Sequence, residues 1–370
     1  MKKIGIITYD RTPYRIFQLN RFNKNYEITA YYTAVKLKNR NWNLQNSSFS
    51  EKKLDGIFLS KGRNLWNFGL SKIVNHNDVI IVGGFDSATS IALSIICKIR
   101  KKPFILLIDG IAYDKQEKKF SLKWMLKKIV IKNAMAIFAN GQKAKKYLNN
   151  NFSYPEDQVY NQFLSVDNDA IYNAKNQNLN TKMSNVFKNA KSKKILYSGR
   201  LLEVKNVKII LEAINLLEYK NQISLIVLGD GPEADLLLKL SEEYEIQLII
   251  TGFISEQEQL FASYYYGDML ILPSLGDAWG LVVNEAMAAG LPVIVSDKVG
   301  CSDDLVNIGE NGYVFDSTSA FDLSKYIDLI YNNNPKLMGL ASKKIIRNWT
   351  FEASFNEFDK MIHTILPEDN

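Results

Sequence analysis

Short apolar runs rich in Ile and Val alternate with longer helical patterns along the whole chain. Parallel strands need a crossover between them, usually a helix, so this alternation predicts βαβ units and an α/β fold. In the first half the runs predict strands at 3–8, 57–60, 78–83, 103–109, 134–139 and 158–161, with helices near 12–23, 86–100, 120–132 and 142–150. A second set predicts strands at 194–198, 224–228, 247–251, 268–272 and 292–296, with helices near 204–217, 232–244, 255–266, 280–289 and 319–333. Between the sets, residues 171–193 are rich in Asn, Lys, Gln, Ser and Thr and read as a linker with a helical piece. For 370 residues the simplest architecture is two Rossmann-like domains in tandem. The expected boundaries are 1–170, a linker at 171–193, 194–349, and a helix at 350–370 that crosses back to the first domain. Open α/β sheets bind ligands beyond the carboxyl ends of their strands, which directs attention to the loops there.

Composition removes several chemistries. The two histidines, His76 and His363, have no second ligand at helical or turn spacing, so a His or Cys metal site is not expected and serine–histidine hydrolysis is hard to stage. Two cysteines make no disulfide scaffold; Cys97 reads as a buried thiol and Cys301 as an incidental one in a reducing compartment. The net charge of +7 conceals a bipolar chain: residues 1–190 carry 31 Lys and Arg against 13 Asp and Glu, whereas residues 191–370 carry 15 against 26. Fourteen of the cations lie between Lys98 and Lys146, and within 120–133 they interleave with Phe120, Leu122, Trp124, Met125, Leu126, Ile129, Val130 and Ile131. Such a helix either lies in an anionic headgroup layer or packs on the core with a solvated basic face. We expect the membrane surface. Nucleic acid is not an expected partner, because no recognisable binding module is present. The apolar run at 87–97 falls short of the ~18 residues of a spanning helix. No cleavage pattern follows Lys2-Lys3, so the expected location is cytoplasmic, peripheral on the inner face of the plasma membrane.

Three loops carry candidate chemistry. After strand 194–198 come Gly199-Arg200 and then Lys205; a glycine with two cations before a helix suits a diphosphate, although cations flanking a helix are also commonly just solvated. Gly229-Asp230-Gly231-Pro232 reads as a turn into a helix with Pro at its first position. In 273–300, Asp277 and Glu285 stand eight apart, and Gly280 between them opens a helix that ends at Gly290. A helix N-terminus offers free N–H groups to phosphate, and a carboxylate two turns in can accept a pair of sugar hydroxyls. The plainer reading makes Glu285 an exposed position of a half-buried helix.

The series YSGRLLEVKN (197–206), LGDGP (228–232), TGF (251–253) and PSLGDAWGLVVNEAMAAGLPVIVSD (273–297) resembles the C-terminal domain of GT-B glycosyltransferases, family GT4, the glycosyl transferases group 1, of bacterial surface-polysaccharide type. The resemblance is close over 190–315 and implies GT-B architecture, two Rossmann-like domains facing a central cleft. It assigns Arg200 and Lys205, with Gly199 beside them, to the donor diphosphate, Asp277 to hydroxyls of the donor sugar and Glu285 to the nucleotide ribose. Backbone groups of Ala278, Trp279, Gly280, Leu281 and Val282 would face sugar and phosphates, and Gly252, Phe253 and Ile254 would line the base. Relatives usually carry Glu where Asp277 stands, and the shorter side chain changes its reach.

The first domain departs further from the family pattern. It reads TYDRTPYR at 8–15 in place of a glycine-rich loop, and strand 103–109 ends in Asp109-Gly110 where many relatives have His. Asp109 either takes over that contact near the reacting sugar or caps the following turn. The implied catalytic set is Asp109, Arg200, Lys205 and Asp277. The implied reaction is retaining transfer of a sugar from a nucleotide sugar, UDP ahead of GDP, to a hydroxyl of a glycan or polyprenyl-linked acceptor, with no metal or other cofactor. The G-x-G-x-x-G that a dehydrogenase would carry does not follow the first strand. The rival readings are a nucleotide-sugar epimerase and a catalytically silent GT-B subunit that stabilises a partner transferase.

Overall fold

The computed structural model describes residues 1–9, 11–33, 46–58, 65–111 and 118–367. They form two compact units. The first draws on Met1–Ile111, Lys115–Leu164 and Phe351–Asn370, and the second on Ser165–Thr350.

The strands of the first unit are β1 (Lys3–Thr8), β2 (Glu27–Tyr32), β3 (Ser50–Lys53), β4 (Gly56–Phe58), β5 (Leu65–Asn67), β6 (Val79–Gly83), β7 (Phe104–Ile108), β8 (Ala136–Ala139) and β9 (Val159–Asn161). Among the described residues seven of them make a parallel sheet in the order β3-β2-β1-β6-β7-β8-β9. Its strands β6 (VIIVG) and β7 (FILLI) are apolar throughout because both faces are covered. Ile80, Val82 and Leu106 join one core cluster while Ile81, Ile105 and Leu107 join the other, the two-residue period of a strand. Full burial of each such side chain contributes ~2 kcal/mol.

The last helix, Phe351–Ile365, belongs to this unit: Phe355, Phe358, Met361 and Ile362 complete the second cluster, and Phe358 stacks on Phe22 at 4.1 Å. The strand expected at 57–60 is corrected to β4, which pairs antiparallel with β5 outside the main sheet; Ser60 lies outside the described residues. The pattern also gave no warning of β3, an edge strand of sequence SEKK exposed throughout. Edge strands are kept charged, which erases the apolar signal. β2, sequence EITAYY, has ordinary strand composition and was legible but missing from the expected set.

The second unit contains β10 (Lys193–Ser198), β11 (Ile223–Leu228), β12 (Gln247–Ile250), β13 (Met269–Leu272), β14 (Val293–Ser296) and β15 (Gly312–Phe315), all parallel, in the order β12-β11-β10-β13-β14-β15. β15 adds an edge beyond the expected set. Residues 171–193 hold most of helix Asn168–Ala174 and all of helix Thr181–Asn189, capped by the side chains of Asp167 and Asn180. The latter helix buries only Met183 and Phe187, too narrow an apolar face to stand out from its polar composition. The chain reverses its direction of travel across the sheet between β10 and β13, the topological switch point where open α/β sheets take ligands.

Candidate active site

The candidate residues of the second unit leave the carboxyl ends of neighbouring strands or follow in the next helix. β10 ends at Ser198 and β11 at Leu228, and the loops after them pack together: Gly199 N–H donates to Leu228 O at 3.2 Å and Leu201 N–H to Asp230 O at 2.9 Å. A Cβ on Gly229 would sit inside the carbonyl oxygen of Gly199, so this glycine serves an approach of backbone to backbone within the protein. Tyr197, buried in β10, donates its hydroxyl to the carbonyl of Arg200 at 2.9 Å and fixes that turn. The Arg200 side chain is exposed.

Lys205 ends a single 3₁₀ turn and meets Asp277 from the loop after β13, Nζ to Oδ2 at 2.6 Å. Both are about one-fifth exposed, 24% and 19%, so the pair can still reach a ligand. The other Asp277 oxygen accepts from the Trp279 N–H at 3.3 Å. Gly280 then turns with φ +92°, where a Cβ would meet Leu272 and Val299, and starts helix Leu281–Ala289 with no side chain capping it. The helix thus starts four residues past Asp277, and no side chain caps its first N–H groups. The indole of Trp279 is buried, donating to Asn284 Oδ1 at 2.9 Å and packing on Trp349, so only its backbone is available to a ligand.

Glu285 lies half-buried on that helix and accepts a hydrogen bond from the Tyr264 hydroxyl at 2.7 Å. Burial pushes its carboxyl up to about 7, partly countered by the Tyr264 bond. Tyr264 is wholly buried on helix Gln257–Tyr264, and no motif in the sequence marks it. After β12, Gly252 is open, Ile254 is half-buried and Phe253 is 66% exposed. Lys182, on helix Thr181–Asn189, donates to Thr251 O at 2.7 Å and ties the segment read as a linker to this loop.

Asp109 belongs to the first unit, just beyond β7. Arg15 donates to its Oδ1 and the Tyr14 hydroxyl to its Oδ2 at 2.9 Å, while Asn140 Nδ2 donates to its carbonyl at 2.7 Å. Tyr14 and Arg15 open helix Pro13–Phe22, from the stretch that replaces a glycine-rich loop. Arg15 is buried and also donates to Gln18; Gln18 in turn donates to Ser354 Oγ at 2.8 Å on the last helix. Burial works to lower the Arg15 pKa, but Asp109 and Tyr14 more than offset it and the net shift is upward. Burial first, then Asp109, raises the Tyr14 phenol well above its ordinary value. Asp109 is thus a carboxylate pinned by two donors with a 44% exposed side chain, more constrained than a turn cap. Asn140 is held in turn, its Oδ1 accepting from the Leu164 N–H at 3.1 Å. The thiols of Cys97 and Cys301 are both buried, and burial pushes Cys97 up to about 12.

The family model described as glycosyl transferases group 1 matches residues 180–347. An uncharacterised glycosyltransferase of Methanocaldococcus jannaschii is 26% identical over 181 residues, 48% of this chain and 42% of that protein. The N-acetyl-alpha-D-glucosaminyl L-malate synthase of Bacillus anthracis is 26% identical over 188 residues, 49% of this chain and 48% of that protein. The match thus spans about half the length of these curated relatives. Among solved structures, HepE of Anabaena in complex with UDP superposes with a TM-score of 0.74 at 14% identity, covering 98% of this chain and 100% of that one. Residues 180–347 are thus similar to the glycosyl transferases group 1, and the chain has the GT-B fold.

Proposed function

We propose that the protein is a retaining glycosyltransferase that moves a sugar from a nucleoside diphosphate sugar, UDP ahead of GDP, to a hydroxyl of a glycan or polyprenyl-linked acceptor. The context we propose is synthesis of a bacterial surface polysaccharide at the inner face of the plasma membrane. The observation that carries the reading is the Lys205–Asp277 pair beside the uncapped N-terminus of helix Leu281–Ala289, with Arg200 exposed on the loop from the adjoining strand. A breaking glycosyl–phosphate bond places negative charge on the leaving diphosphate. Arg200, Lys205 and the helix N–H groups supply positive potential already in place, the kind of preorganised stabilisation that lowers such barriers most.

Asp277 holds the Lys205 ammonium and has its own oxygens directed by Lys205 and the Trp279 N–H, so it is fixed to accept hydroxyls of the donor sugar. Glu285, oriented by Tyr264, accepts the ribose hydroxyls, and exposed Phe253 offers a face to the base. The pinned Asp109 is proposed to contact the reacting sugar as a fixed hydrogen-bond acceptor. The relative named above as bound to UDP supports the preference for a uridine nucleotide. A thermal-shift panel of UDP, GDP, ADP and CMP with their sugars tests the reading: one strong stabiliser names the donor class, and no stabiliser favours the silent subunit.

A further inference from the structure

Helices Ala88–Ile99 and Leu122–Asn133 pack against each other in the first unit. The second has two apolar stripes. Trp124, Val130 and Ile131 point inward and are buried, as a core-packing helix requires. Leu122, Met125 and Ile129 follow a three- and four-residue spacing on the opposite side and are exposed, Leu122 by 73%, and Phe120 before the helix is 84% exposed. The first helix adds Ile95 and Ile99, the latter 76% exposed. Core packing accounts for the inner stripe and leaves the outer one unexplained.

The charges on the two helices themselves are all of one sign, with Asp86 before the first and Glu117 before the second as the nearest acids in sequence. No Asp or Glu occurs at 87–108 or at 118–155, whereas Lys98, Arg100, Lys101, Lys118, Lys119, Lys123 and Lys132 are exposed there. A basic helix face serving only solubility would alternate its charges and would not carry outward Leu, Met and Ile. Nucleic acid needs the cations but has no use for the aliphatic stripe, and a protein partner has no need of a rim so uniformly basic. An anionic lipid surface uses both: headgroups meet the lysines and the acyl boundary takes the apolar side chains.

We infer that these two helices are the face by which the protein rests on an anionic bilayer, with Phe120, Leu122, Met125 and Ile129 entering the interface. This extends the proposal of a lipid-linked acceptor and names the surface, but it stands on the surface chemistry and not on the donor site. The test is co-sedimentation of the full chain, without substrates, with vesicles of phosphatidylcholine alone and with added phosphatidylglycerol. Binding is expected to be about tenfold or more stronger on the anionic vesicles and to fall by a similar factor in the double variant Leu122→Glu, Met125→Glu, with Tm unchanged. The conservative pair Leu122→Met, Met125→Leu should retain binding. Equal partition onto neutral and anionic vesicles, or binding indifferent to the glutamate pair, overturns the inference. So does self-association, or binding to single-stranded RNA, that the glutamate pair abolishes while vesicle binding persists. Each of these negatives leaves the transferase reading standing, because that reading is measured by nucleotide-sugar turnover.

Discussion

Each unit carries an ion pair that joins two loops beyond its sheet, Arg15–Asp109 in the first and Lys205–Asp277 in the second, and the two are built in opposite ways. In the first unit the cation is sealed in and the carboxylate shows: the Arg15 side chain is 3% exposed and Asp109 44%. In the second unit both partners are comparably accessible, Lys205 at 24% and Asp277 at 19%. A buried guanidinium whose donors are taken by Asp109 and Gln18 has little left for a ligand and acts by holding its partner. A partly exposed ammonium with three donors and one carboxylate keeps donors free for phosphate. Similar charges at the ends of similar strands thus take different work, and burial decides which.

The largest expected effect breaks the pair of the second unit. Lys205→Ala and Arg200→Ala should each lower turnover about 10²- to 10³-fold, the usual loss when one preorganised donor to a developing anion is removed. Chemical denaturation should find both variants within ~1 kcal/mol of wild type, since cations open to water contribute little to folding. Arg15→Met inverts that pattern. It should cost ~2–3 kcal/mol of stability in the same denaturation, less than a fully buried pair because Asp109 is open to water. Any loss of turnover beyond that of Asp109→Asn would mean that Arg15 touches substrate itself.

Glu285 gives a prediction with a sign. Its carboxyl titrates at about 7 in the fold against an ordinary 4.5, so the folded chain holds the proton more tightly. The stability from this group is full below about 4.5 and is lost as pH rises through about 7, by at most ~3 kcal/mol at ~1.4 kcal/mol per pH unit. Glu285→Gln should therefore leave Tm near the wild-type value at pH 5 and raise it at pH 8. Donor affinity should move oppositely, rising through pH 7 in the wild type as the ribose acceptor ionises, and turning flat in the variant. Tyr264→Phe is the smallest change: loss of one hydrogen bond to a carboxylate should weaken donor binding by about tenfold, read by calorimetry.

Much of the second unit was legible because its residues serve two demands at once. Gly199, Gly229 and Gly280 stand where backbones crowd or turn, and the stretch 273–297 combines a buried strand, a loop and a helix in one unbroken pattern. Lys205 and Asp277 were read as separate phosphate and sugar ligands, and their mutual bond could not be seen because it joins loops 72 residues apart. Separations of 21 and 94 residues hid Tyr264 from Glu285 and Arg15 from Asp109. Strands failed where the environment removes the apolar pattern, as in exposed β3, and the helical piece expected within 171–193 had no clear bounds because helix Thr181–Asn189 buries only two residues. Sequence spacing reports what one element needs, whereas the site is made by contacts between elements.

The central claim is that Lys205 and its neighbours hold the diphosphate of a nucleotide sugar. Isothermal titration of UDP-, GDP-, ADP- and CMP-sugars into the wild type and into Lys205→Ala tests it most directly. One donor should bind the wild type and lose about tenfold or more of its affinity in the variant, with the affinity of the wild type falling as salt is raised. Binding of that donor with equal affinity to both proteins, or of no donor to the wild type, would contradict the claim.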